Sequence, residues 1–260
     1  ADYYYMKSYA LNNDWLASFS HASRSRSAAV ELEKNIDSLP DLYFILGDQD
    51  YTTALVPETL QPFMKLISFS PDPDSGLKYL ELAMQNGVLT RQEAKIFYIS
   101  SAIYIEKNYD KALSVAEEFL SNFPENLSAR FYKIDILLRK KDVLQAGKLL
   151  EVIEKEIASG RVTGKWISRY NQMCGNYHNT KGEYEKAIEY YEKALSFEQI
   201  SNYTYTEITL ETGKLYDVLG NRGRARSWFW KCEKSKGLLI HREEAKIHRE
   251  NGYSERRGSY

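Results

Sequence analysis

The stretch KGEYEKAIEYYEKALSFE, residues 181–198, decides the fold. It contains no proline, and wound as a helix it sets Ala187, Tyr191, Ala194 and Leu195 on one face, at i, i+4, i+7 and i+8. Alanine lets two helix backbones approach, and a ring beside it fills the step that remains. The later stretch LGNRGRARSWFWKCEKSK, residues 219–236, repeats the arrangement: Gly182 falls on Gly220, Ala187 on Ala225, Tyr191 on Phe229 and Ala194 on Cys232. The preceding helices match too, with Gly175 on Gly213 and His178 on Tyr216.

Upstream, the same template finds Ala146 in KDVLQAGKLLEVIEKE, Ala112 in NYDKALSVAEEFLSNFP, Gly76 in SGLKYLELAMQNG and Ala28 in SRSAAVELEKNIDSLP. The shortest interval, from Ala112 to Ala146, is 34 residues, the length of a helix–turn–helix unit. Gly182 and Gly220 are expected where the chain reverses, and Pro40 and Pro124 where second helices end. PETLQPFMKLISF, residues 57–69, reads as an extra helix opened by Pro57. Gly175 and Gly213 are expected to face Ala187 and Ala225, with Tyr191 and Phe229 filling the gap to the next unit. The expected fold is therefore all-α, about six stacked helical pairs, none of which buries its apolar face alone. The 14 glycines and 6 prolines are too few to turn an all-β chain, and the 21 tyrosines suit thin layers with half-exposed surface.

GNYHNTKGEYEKAIEYYEKAL, residues 175–195, resembles the tetratricopeptide repeat, with its Gly, Tyr, Gly, Tyr, Ala, Tyr and Ala in place. The departures are Asn171 and Cys174 for the family's Trp and Leu, His178 for its first Tyr, and Ile134 where a Gly or Ala is expected, which should splay that pair. The resemblance implies an α–α superhelix, a tetratricopeptide-like solenoid. It divides the chain into irregular units over 1–91, an array of four units over 92–237, and a capping helix with a mobile basic tail over 238–260. LYFILGDQDY (42–51) with LKYLELAMQNGVLTRQEAKIFY (77–98) also resembles an irregular repeat pair of uncharacterised bacterial members. From that come two expectations: that part of the array precedes residue 1, and that the protein sits in the periplasm or cell envelope.

The resemblance further implies a non-enzymatic scaffold that binds a peptide or partner helix in a concave groove lined by first helices. Projected onto it, Phe97, Tyr98, Tyr104, Phe131, Tyr132 and Asp135 form an aromatic lining. Gln172, Asn176 and Asn179, at i, i+4 and i+7, form an amide ladder able to bond a peptide backbone. The alternative is a small apolar ligand held by that lining, in an exported transport or sensing system. The family's carboxylate clamp is disfavoured, because its places hold Phe97, Ser101, Tyr132, Arg169 and Met173, and only Arg169 suits it.

Nothing in the chain carries catalytic chemistry, and no cofactor is expected. HREEAKIHRE, residues 241–250, spaces its histidines seven apart rather than four, so His241, Glu244 and His248 make a weak metal set. His178 stands at a ring position, and SPDPDSG (70–76) reads as helix capping by Asp74 or Ser75, not as a calcium loop. Cys174 and Cys232 have no metal spacing and read as buried thiols. A net charge of −1 sets up no overall field for nucleic acid, and no apolar run is long enough for a transmembrane segment. The expected partner is a protein or peptide, and oligomeric state is left open.

Overall fold

A computed structural model describes residues 15–33, 39–53, 72–198, 200–237 and 239–254. The described residues form twelve helices and no strand: α1 Trp15–Glu33, α2 Leu42–Thr53, α3 Pro73–Asn86, α4 Arg91–Tyr104, α5 Tyr109–Asn122, α6 Leu127–Arg139, α7 Val143–Ala158, α8 Lys165–Thr180, α9 Tyr184–Leu195, α10 Asn202–Val218, α11 Arg222–Lys234 and α12 Leu239–Asn251. They pair in sequence as helical hairpins, with α12 laid against α11 and α10. The chain divides into two compact units, Ala1–Pro124 and Glu125–Tyr260.

Local chemistry marks where these helices begin. The side chains of Asp72, Asn108, Asn126, Asp142, Ser201 and Asn221 each accept from the backbone N–H three residues on, satisfying donors that the first turn leaves open. At α3 the cap is Asp72, with Pro73 following, rather than Asp74 or Ser75: proline needs no N–H partner at the first helical position. The turns inside the hairpins share one device. Lys107, Lys141, Gly182 and Gly220 all sit at positive φ, and the N–H of the next residue returns to a carbonyl five or six positions back. Pro124 follows the end of α5 as expected. The expected helix over 57–69 and the tail over 255–260 lie outside the described residues.

In the first unit, α2 and α3 touch backbone to backbone. A Cβ on Gly47 would lie 2.8 Å from the Leu80 nitrogen, and one on Gly76 2.7 Å from the Tyr51 nitrogen. Gly76 is thus the small residue the template required. In α1 the template is displaced by one: Ala28 is exposed, and Ala29 and Ala22 are buried.

In the second unit the crossing is built differently from the expectation. A Cβ on Gly175 would meet the Tyr191 ring at 2.3 Å, and one on Gly213 the Phe229 ring at 2.6 Å. The large ring therefore lies over the glycine of its own hairpin, while Tyr191 also shares a buried cluster with Ile208 and Leu210 of the next. Ala187, Ala194 and Ala225 are wholly buried around it. Ile134, lacking that glycine, leaves α6 and α7 in looser contact than α8 and α9, while staying buried with Ala146 and Ile153. Cys174 and Cys232 are buried and free, and burial pushes both thiols up to about 11.

A candidate partner-binding face on the first helices of the second unit

The nine residues expected to line a groove fall into different environments. In the first unit Phe97 is half-buried, edge-on to Phe44 and Tyr51. Tyr98 is 1% exposed, its hydroxyl donating to Glu81 and its ring facing the Lys111 ammonium. Tyr104 is half-buried at the end of α4. In the second unit Phe131 is 1% exposed and stacks on Trp166. Tyr98 and Phe131 are core, because a ring at that helical position reaches the packed side of its hairpin, and neither presents surface for a ligand. Tyr132 is half-buried, and Asp135 is buried against Arg139, Nε to carboxylate 3.1 Å.

The amide ladder is coupled to an ionic seam that the sequence did not reveal. Gln172 is buried and bridges two charges: it accepts from Arg169 at 2.6 Å and donates to Glu207 at 2.6 Å. Arg169 lies 3.8 Å from Glu207. Asn176 accepts the Tyr191 hydroxyl at 2.7 Å, so this amide anchors the ring that closes the α8–α9 hairpin. Asn176 and Asn179 remain half-buried, with surface to spare. Further along, Lys214 reaches Glu211 and Glu244 at 2.8 Å each, and Glu244 reaches His248 at 3.3 Å.

These groups sense one another across α6, α8, α10 and α12. Burial pushes the Glu207 carboxyl up; Arg169 and Arg139 oppose the rise, and Asp135 adds to it. Burial, then Glu211 and Glu207, push the Tyr191 phenol far above its ordinary range. Burial would lower Lys214, yet Glu211 and Glu244 outweigh it and keep the ammonium charged. Glu244 is driven the other way: burial raises it, but the bond from His248 and the charge of Lys214 hold it down at about 2. A signal for this seam does exist in the sequence. Glu207, Glu211 and Lys214 stand at i, i+4 and i+7 of a first helix, the spacing of the amide ladder.

His178 occupies its expected ring position, stacked on Tyr190 at 5.1 Å, with Nδ1 2.6 Å from Glu183. His241 is half-buried on α12, and burial lowers it. Among the described residues no group of three or more His, Cys, Asp or Glu is placed to hold a metal ion, and no helix is long and apolar enough to cross a membrane.

No family model matches the chain, and no curated protein matches it. Among solved structures it is similar to MamA 41-end from Desulfovibrio magneticus RS-1, at 17% identity over 73% of this chain and 96% of that one, with a TM-score of 0.42. It is also similar to the MamA RS-1 ArsTM double mutant, at 16% identity over 75% of this chain and 96% of that one, with a TM-score of 0.40.

Proposed function

We propose that the protein is a non-enzymatic interaction scaffold, whose first-helix face in the second unit receives a peptide or partner helix. One observation carries this reading: amides and charges gather on this face in two bonded groups, Arg169, Gln172 and Glu207 in one and Glu211, Lys214 and Glu244 in the other, with the Asp135 charge felt by Glu207. A helical stack built only for stability would fill such positions with apolar side chains, because half-buried ion pairs stabilise little. Half-buried Asn176, held by the Tyr191 hydroxyl, presents an oriented amide group to a backbone at low entropic cost, with half-buried Asn179 beside it on the same face. Because Tyr98 and Phe131 are core, the contact belongs to the amide and charged part of the face rather than to a ring-lined cavity for a small apolar ligand.

The test is site-specific photocrosslinking in the native cell. A photoreactive residue at Asn179 should trap one defined polypeptide segment, and the same group at exposed Lys186 on α9 should not. Equal trapping at both positions, or at Lys186 alone, refutes the assignment.

A further inference from the structure

The second helices of the hairpins are acidic, with one exception. α5 carries Asp110, Glu117 and Glu118 against Lys111; α7 has three glutamates to two lysines, and so has α9. α11 reverses this, with Arg222, Arg224, Arg226, Lys231 and Lys234 against Glu233 alone. Its buried face is Ala225, Phe229 and Cys232. At 100° per residue, the opposite half carries Arg224, Arg226, Ser227, Trp230, Lys231 and Lys234 and no carboxylate. Glu233 lies at the margin, spent on Arg249 at 2.8 Å. Trp230 is 52% exposed, between Arg226 one turn before it and Lys234 one turn after. Beside it lies an open depression lined by Arg226, Ser227, Trp230, Arg249 and Glu250, the last within 3.9 Å of Arg249.

We infer that the outer face of α11 docks on an anionic phospholipid surface. A ring with an apolar body and a polar N–H, flanked by long cationic side chains, matches the headgroup layer: the indole enters it and the cations meet phosphates. From Arg224 to Lys234 the strip is about 15 Å long, so it can lie along a bilayer surface. Single-stranded nucleic acid fits less well. Successive bases need successive open rings, and the Lys231 ammonium covers the Trp228 ring at 3.7 Å. An acidic polypeptide would use the cations but give exposed Trp230 no apolar layer to enter. The near-neutral total charge conceals the strip, because carboxylates elsewhere balance it.

The experiment is co-sedimentation of the whole chain with two kinds of vesicle, phosphatidylcholine alone and phosphatidylcholine with about one third phosphatidylglycerol. The expected result is at least about tenfold tighter binding to the anionic vesicles, weakened by salt. R226E/K234E should lose at least about tenfold, W230A should weaken binding, and the control K186E/K193E on α9 should bind as wild type. Circular dichroism verifies that each variant is folded. Equal binding to both vesicles, binding to neither, or undiminished binding by folded R226E/K234E overturns the inference. So does tighter capture of a single-stranded oligonucleotide or of polyglutamate than of the anionic vesicles.

Discussion

Replacing Gly175 by alanine tests the hairpin crossing directly. The new methyl would lie 2.3 Å from two carbons of the Tyr191 ring, more than 1 Å inside normal contact. The ring has nowhere to go: Tyr191 is 1% exposed, and its hydroxyl is held by Asn176 at 2.7 Å. Overpacking of this kind costs about 1–3 kcal/mol. Alanine in a helix interior returns about 1 kcal/mol over glycine, which leaves a net loss of about 0–2 kcal/mol. Equilibrium urea unfolding of G175A, Y191L and G175A/Y191L measures it. Leucine loses the hydroxyl bond but vacates the space the methyl needs, so the double variant should be more stable than the sum of the singles by about 1 kcal/mol. G175A more stable than wild type, or strictly additive effects, would refute the crossing.

Three further outcomes follow from particular side chains. K107G and K141G should each stabilise by about 0.5–1 kcal/mol in thermal or urea unfolding, because each relieves an L-residue at φ 52 and 61. D41A should destabilise the first unit by about 2 kcal/mol and speed amide exchange at Val88, Leu89 and Thr90, since Asp41 Oδ1 accepts all three N–H groups at 2.9 Å and the Thr90 hydroxyl at 2.8 Å. Glu244, held at about 2 against an ordinary 4.5, contributes stability above the ordinary value that is lost as pH falls towards 2. Exchange protection in α12 should fall over that acid window, and E244Q should flatten the dependence.

The hairpin order was legible because small residues and turn glycines recur at fixed offsets, and Gly76, Ala112, Ala146, Ala187 and Ala225 are all buried where the template set them. Only part of the ring's target was legible. A helical stripe says that Tyr191 faces inward, not that its ring covers the glycine of its own hairpin as well as facing the next pair, since both lie on the same side. Ala28 misled for a related reason: two adjacent alanines offer two registers, and only packing chooses between them. For the site, Gln172, Asn176 and Asn179 did share a face, but spacing on one helix could not disclose Glu207, which comes from another. The rings of Tyr98 and Phe131 looked like lining because inward and groove-facing positions on a first helix differ by about one residue in phase.

Whether the first-helix face of the second unit binds a polypeptide is tested by calorimetric titration of the segment trapped at position 179 against wild type and R169A/N179A. The expected result is at least about tenfold weaker binding by the folded double variant, equivalent to about 1.4 kcal/mol. Unchanged affinity would contradict it.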